Sequence, residues 1–364
     1  MNILHLMNFA GSSGSEKYVR TLLTRQIAQG HTVTFVYNIC GPLAEEAAAA
    51  GAETVRLAMR SVFDLRAARQ LAEICRTRCI EVVHTHFPRE NCIAVLAKRR
   101  YPVLRVVNTS HLVFSTGFAW RMLNRFFSPD NTAVLCVCSE QLRTLSSNGV
   151  FPDRLRVVHN GIPPVDAQQM RAQYRAPVRE EFGIADAAPL AVTLARFTES
   201  KGLDILIRAA AALHAAVPEA RLILAGTGED LEKIRAQIRE AGLEGVVFTP
   251  GFRKDAQALL ASADIYVNTS RSGEALSFAI IEAMAMGLAP VISDAGGNPD
   301  IVDAHSDWGV QFASGDADAL ADILIRLTRD MPACREMGLR AKARAETEFS
   351  EDKMYEETMK AYQA

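Results

Sequence analysis

The sequence predicts an α/β protein made of two doubly wound parallel-sheet domains facing a cleft. Short, continuously apolar runs rich in β-branched residues alternate with amphipathic stretches of helical length. That is the pattern of strands covered by helices on both faces. The alternation breaks at a Pro-containing polar stretch and then restarts. The chain has 364 residues, and at roughly 100–200 residues per domain that length divides naturally in two.

The elements follow in order. NILHLM (2–7) reads as the first strand, and a helical pattern runs from Ser15 to Gln29 and stops at Gly30. TVTFVY (32–37), VVHTH (82–86), VLRVVN (103–108) and AVLCVCS (133–139) are further strands, with helical patterns at 64–78, 89–99 and 139–148. Residues 160–189 hold Pro163, Pro164, Pro177 and Pro189 in polar surroundings, the composition of a linker. Beyond it come PLAVTLA (189–195), ARLILAG (220–226), GVVFTPG (245–251), ADIYVNT (263–269) and LAPVISD (288–294). The tail FSEDKMYEETMKAYQA (349–364) places Ser350 at a cap position, with apolar Met354, Met359 and Tyr362 behind it; it reads as a closing helix. The expected division is therefore 1–165, 166–348 and a terminal helix over 349–364. Ligands of such sheets bind beyond the carboxyl ends of the strands, so the cleft is the expected site.

Composition excludes several classes. With 49% hydrophobic and 23% charged residues the chain is an ordinary globular one rather than a disordered or fibrous one. The net charge of −2 argues against a general nucleic-acid binder. No apolar run approaches the ~18 residues of a membrane span. Met1 leads straight into a strand-like run without a signal-peptide pattern, which points to the cytoplasm. The seven cysteines lack zinc-like spacing and read as reduced thiols. Charge is uneven: residues 1–165 carry 19 Lys and Arg against 11 Asp and Glu, and residues 166–364 carry 21 against 31. Either the first half faces an anionic partner, or the two domains merely differ in composition.

Three segments have the makings of a site. In GEALSFAIIEAMAMGLAPVISD (273–294), Glu274 and Glu282 are eight apart. A helix beginning near Ser277 puts Glu282 in its second turn and Glu274 in the loop before it. The start of such a helix suits an anion such as a diphosphate. Glu282, in an otherwise apolar helix, could be satisfied by two sugar hydroxyls, or both glutamates could be solvated. In LARFTESKGLDILIRAA (194–210), Arg196 and Lys201 flank a strand-to-helix loop. They could grip a diphosphate, Arg as a fork and Lys as a point charge, or stand in water. In NFAGSSGSEKYV (8–19), Gly11 and Gly14 lie in the first strand-to-helix turn and allow close backbone approach. Its spacing is not the dinucleotide fingerprint, which argues against a nicotinamide dehydrogenase. His111 follows the strand VLRVVN, while His84 and His86 end VVHTH; each could be structural or catalytic. Asp316 and Asp318 look like a helix cap and a first-turn acid, so no metal site is expected and no cofactor is called for.

In this order the motifs resemble those of the retaining glycosyltransferases of family 4. The likeness includes Gly14-Ser15-Glu16, VVHTH, HNGI at 159–162, Arg196 with Lys201-Gly202, LILAGTGED (222–230), FTPGF (248–252) and the E-x7-E pair Glu274 and Glu282. The resemblance implies the GT-B fold, with the C-terminal helix returning to the first domain and the two domains hinging around the donor. It implies transfer of a sugar from a nucleoside-diphosphate sugar to a glycan or glycolipid acceptor in bacterial-type polysaccharide synthesis, by a metal-independent front-face mechanism. Arg196 and Lys201 would then hold the diphosphate, helped by N–H groups at Leu276, Ser277 and Phe278. Glu282 would take the ribose, Glu274 and His111 the transferred sugar, and Gly251, Phe252 and Arg253 would surround the base. Gly14 would let the diphosphate and acceptor approach the first helix. The chain departs from the common Gly-Phe-Gly after the first glutamate, having Ala275-Leu276-Ser277-Phe278, and from Gly-Gly-Ala-Glu in the first turn. Donor and acceptor identity therefore stay open. An epimerase of the same fold and a non-catalytic nucleotide-sugar binder are the competing readings.

One segment suggests a surface. FAWRMLNRFF (118–127) mixes bulky apolar residues with Arg121 and Arg125, and Lys98-Arg99-Arg100 adds charge. On a helix this is the composition of a contact with an anionic membrane, which would make the protein peripheral at the inner membrane face. Core packing with snorkelling arginines is the alternative.

Overall fold

The computed structural model describes residues 1–111 and 117–364 and divides into two compact units. The first comprises Met1–Pro163 and Ser350–Ala364, the second Pro164–Phe349. Among the described residues no helix is long and apolar enough to cross a membrane.

In unit 1 the chain runs β1 (Asn2–Phe9), α1 (Gly14–Ala28), β2 (Thr32–Ile39), α2 (Pro42–Ala49), β3 (Glu53–Arg56), α3 (Leu65–Thr77) and β4 (Val82–Thr85). It continues through α4 (Pro88–Lys98), β5 (Arg105–Ser110), α5 (Phe118–Phe127), β6 (Ala133–Cys136), α6 (Ser139–Ser147) and β7 (Leu155–Val157). The strands form a parallel sheet in the order β3-β2-β1-β4-β5-β6-β7. One layer of its core joins Leu4, Leu6 and Val83 of the strands to Leu71, Ile93 and Phe127 of the helices. Strand order reverses between β1 and β4, and it is at such a switch point that the loops splay apart and leave a crevice.

Unit 2 repeats the plan. It contains α7 (Ala167–Glu181), β8 (Leu190–Leu194), α8 (Leu203–Ala216), β9 (Arg221–Ala225), α9 (Leu231–Glu240), β10 (Val247–Gly251) and α10 (Ala256–Ser262). Then come β11 (Ile265–Asn268), α11 (Phe278–Ala285), β12 (Ala289–Ser293), β13 (Val310–Phe312), α12 (Ala317–Arg329) and α13 (Met331–Glu348). The order β10-β9-β8-β11-β12-β13 is again all parallel, with its switch point between β8 and β11. Asp316 caps α12, its side chain accepting from Ala319 N at 2.9 Å.

The segment read as a linker is corrected by the structure. Residues 167–181 form α7 in spite of Pro177. Asp166 caps it through Gln169 N at 2.9 Å, and Arg179, 2% exposed, pins its end. The Arg179 guanidinium donates to the carbonyls of Ser262, Ala185, Asp186 and Ala188 at 2.8–3.0 Å and to Asp264 Oδ2 at 2.9 Å. The chain passes from one unit to the other at Pro163-Pro164 and returns at Phe349-Ser350.

The tail forms α14 (Glu351–Gln363), capped by Ser350 through Lys353 N at 3.2 Å. Ile162 and Ser350 form a parallel bridge, Arg25 of α1 pairs with Asp352, and Tyr362 is fully buried. This helix is therefore part of unit 1.

Removing Arg179 leaves the buried Asp264 carboxylate short of its main partner. Arg179→Met is expected to cost roughly 3–5 kcal/mol, read as a lowered denaturant midpoint; an unchanged midpoint would show that α7 is held some other way.

Candidate functional site

The sharpest polar constellation lies at the switch point of unit 2. Arg196 follows β8 and is exposed; it forms no ion pair among the described residues. Lys201 closes the short 3-10 turn Glu199–Lys201 before α8. Gly202 follows at φ 58°, and a Cβ there would lie 2.3 Å from Thr269 O, so only glycine lets this loop touch the end of β11. The loop is stitched there by Thr269 Oγ1 donating to Lys201 O at 2.9 Å and Arg271 N donating to Ser200 O at 2.7 Å.

These contacts carry the Lys201 ammonium onto Glu274, with which it forms an ion pair. Glu274 is 6% exposed. Its Oε1 also accepts from Ser270 Oγ at 2.6 Å and from Asn268 Nδ2 at 3.4 Å. Burial alone would push this carboxyl up, but Lys201, Ser270 and Asn268 together hold it below the usual carboxylate value. The cradle has its own support. Asn298 donates to Asn268 Oδ1 at 3.1 Å and to Ser293 O at 3.0 Å, and Ser293 Oγ donates to Ser270 O at 2.7 Å. Gly296, at φ 59°, has its Cβ direction 2.2 Å from Glu274 O.

Helix α11 starts beside this carboxylate, with Ser277 at its N-cap and no side-chain cap bond. Leu276 and Phe278 flank that cap, and Glu282 is half-buried in the second turn. The switch point thus brings together a free guanidinium, an ammonium, a buried ionised carboxylate and a helix N-terminus. Such a set can take a polyanion and, next to it, a hydroxyl-bearing group.

Gly251, Phe252 and Arg253 lie apart from this cluster, at the end of β10 and two strands away from β8. Phe252 is 71% exposed. Arg253 is held by Glu181 and by Asp255, at 2.8 Å to the latter; its guanidinium is already engaged by carboxylates.

Unit 1 presents its own polar edge. Gly14 opens α1, and Glu16 turns back to accept from Ser13 N at 3.1 Å and Ser15 Oγ at 2.9 Å. His111 follows β5, and its Nε2 lies 3.2 Å from Nδ1 of fully buried His86. Burial drives the His111 imidazole down to about 3, so it is neutral at ordinary pH. A cavity of about 570 Å³ runs from Ser13, Glu16 and His111 inward to Phe127, Asn131 and Leu145. The amide of Asn131, 1% exposed, has no hydrogen-bond partner among the described residues.

Reading the sequence did not single out Asn268, Ser270, Ser293 or Asn298, nor His5. A signal was there for all but Asn298: each of the others is a polar residue within or just past an otherwise apolar strand run, at the edge where ligands bind, whereas Asn298 opens a 3-10 turn five residues beyond β12. Among the described residues one group places three potential metal ligands together, His5, His84 and His86. All six of their ring nitrogens are engaged in hydrogen bonds.

The model of the glycosyltransferase family 4 matches residues 12–165, and that of the glycosyl transferases group 1 matches residues 175–344. N-acetyl-alpha-D-glucosaminyl L-malate synthase of Bacillus anthracis is 26% identical over 299 residues, 80% of this chain and 77% of that protein. A GDP-mannose-dependent alpha-(1-6)-phosphatidylinositol monomannoside mannosyltransferase of Mycolicibacterium smegmatis is 32% identical over 173 residues, 45% of each chain. Anabaena HepE, solved in complex with UDP, superposes with a TM-score of 0.87 at 18% identity, covering 100% of both chains.

Acid stability tests the ion pair. The Glu274 carboxyl ionises more readily folded than unfolded. Its contribution is therefore present above the ordinary value of 4.5 and is lost as pH falls below it through the folded value. Lys201→Met is expected to flatten this acid limb in urea midpoints taken from neutral pH downward; parallel wild-type and variant curves would count against the pair.

Proposed function

The chain belongs to the retaining glycosyltransferases of family 4, the group 1 glycosyl transferases, with a nucleotide-sugar donor, and from that premise we propose that it transfers a hexosyl group to a glycan or lipid-linked glycan. The observation that supports this most is the Lys201–Glu274 pair beside exposed Arg196 at the switch point.

In this reading Arg196 and the start of α11 take the donor diphosphate. Lys201 carries three N–H donors; one serves Glu274 and the others reach phosphate oxygens. Positive groups thereby meet the charge that develops on the leaving diphosphate, without a metal. Glu282 receives the ribose hydroxyls, and Gly251, Phe252 and Arg253 border the base. Glu274, fixed and ionised, accepts from hydroxyls of the transferred sugar, and His111 takes a sugar hydroxyl. The acceptor hydroxyl attacks the anomeric carbon on the face from which the diphosphate departs. The carbon–oxygen bond to the diphosphate breaks, a leaving-group oxygen takes the acceptor proton, and configuration is retained. The cavity beside Gly14, with Asn131 facing into it, receives the acceptor.

Helix α5 supports an acceptor held at a membrane. Phe118, Met122 and Phe126, four residues apart, are 78%, 51% and 58% exposed, so the apolar residues here are not all core. Arg121 and Arg125 are exposed beside them, and Arg99 lies 4.6 Å over the Phe126 ring. Apolar side chains ringed by cations suit an anionic leaflet, at about 1 kcal/mol per basic residue. The mycobacterial relative is named for a phosphatidylinositol mannoside, consistent with a lipid-borne acceptor here.

Two measurements test this function. A panel of nucleoside-diphosphate sugars, with glycan and lipid-linked acceptors in EDTA, should show acceptor-dependent release of the diphosphate. Arg196→Ala should lower kcat/KM for the donor about 10- to 100-fold, the loss of a charge-assisted bond of roughly 1.5–3 kcal/mol. Release that needs no acceptor and yields a rearranged sugar would favour the epimerase. For the membrane contact, the protein should float with vesicles rich in anionic lipid, and Arg121→Glu with Arg125→Glu should abolish flotation; indifference to such vesicles at low salt would remove the membrane from the proposal.

A further inference from the structure

Behind His111 lies a buried chain of polar groups, all within unit 1. His111 Nε2 meets His86 Nδ1 at 3.2 Å, His86 Nε2 meets His5 Nδ1 at 3.1 Å, and His5 Nε2 meets Gln26 Oε1 at 2.8 Å. The other end of the Gln26 amide donates to Tyr362 OH at 3.1 Å, and that hydroxyl meets His84 Nδ1 at 2.7 Å. His84 Nε2 ends the chain on Thr109 Oγ1 at 2.7 Å. His5, His84, His86, Gln26 and Tyr362 are all fully buried. Burial holds the four imidazoles far down, His5 to about 4 and His111 to about 3, so each is neutral.

A neutral imidazole has one N–H and one lone pair. Each contact between two imidazoles therefore needs one proton, and fixing the first fixes all the rest. With the Gln26 carbonyl facing His5, His5 must donate through Nε2, His86 must donate to His5 through Nε2, and His111 must donate to His86 through Nε2. His111 is left with its Nδ1 lone pair unprotonated. Turning the Gln26 amide over reverses every member and puts the proton of His111 on Nδ1. The amide is held in the first orientation if Tyr362 OH donates to His84 and accepts from Gln26, an assignment that the 2.7 and 3.1 Å contacts allow.

We propose that Gln26 and Tyr362 are positioning residues that set the tautomer of His111, making its Nδ1 a hydrogen-bond acceptor for a hydroxyl of the bound sugar. That use rests on the function proposed above; the tautomer itself does not. The chain does for a sugar-binding histidine what outer partners do for a metal-binding one: it fixes which nitrogen is available. It runs through the C-terminal helix, and of these groups only His86 and His111 line the cavity described above.

The test separates the two layers. In protein carrying 15N-labelled histidine, long-range 15N–1H correlation spectra should show His5, His86 and His111 each as a single Nε2–H tautomer. Gln26→Leu and the near-isosteric Tyr362→Phe remove the anchor and should turn the His111 signal into a mixture of both tautomers. Gln26→Glu, an acceptor towards His5, should restore the single form. Once a donor and acceptor are known, kcat should fall about tenfold in the first two variants, by analogy with other outer partners, with KM for the donor unchanged, and recover in Gln26→Glu. A mixed His111 tautomer in the wild type, or a tautomer unmoved in folded Tyr362→Phe, overturns the proposal. A tautomer that shifts while kcat stays constant overturns the use of His111 at the sugar and leaves the donor-release assay as the separate judge of the wider function.

Discussion

A carboxylate out of water is stable only where positive charge and donors surround it, and unit 2 is organised around meeting that condition at Glu274. Left alone, a group 6% exposed would take up a proton. Lys201, Ser270 and Asn268 keep it ionised, and each of these is itself tied down. Two glycines, at 202 and 296, allow the backbones to approach closely enough for the arrangement to exist. Under the proposed function rigid placement matters, because a preformed charge beside a reacting sugar needs no reorganisation during the reaction.

Unit 1 meets a related condition without charge. Its buried polar groups are histidines, and burial makes them neutral. A neutral imidazole satisfied at both nitrogens avoids the penalty of an unpaired buried polar atom. The two units thus place polar groups at equivalent switch points by opposite means, one by an ion pair and one by a relay of neutral rings.

The alternation of strands and helices was plain in the sequence because central parallel strands are continuously apolar. The edge strands β3, β7 and β13 were not, because ETVR, LRV and VQF are short, broken by polar residues and only partly buried, so no continuous apolar run marks them. Helix α7 was hidden by Pro177 and by a polar composition; what makes it a helix is Arg179 reaching carbonyls and Asp264 elsewhere in the unit. The site divides the same way. Glu274, Glu282, Arg196 and Lys201 stood out by spacing. The relay did not, since His84 and Tyr362 are 278 residues apart and each in isolation looks like an ordinary core residue. Likewise Phe118, Met122 and Phe126 could have been core or surface, and only the position of α5 decides between them.

The return of α14 to unit 1 bears on how the molecule is made. The sheet of unit 1 is complete once β7 has left the ribosome. Its polar interior is not, because Tyr362 is translated only after the whole of unit 2. Through that interval α1 lacks the helix that covers it, and Gln26 and His84 lack the hydroxyl they share. Synthesis from the N-terminus normally lets the first domain settle before the next emerges. Here that order is inverted: the first unit to appear is not finished until the whole of the second has been made.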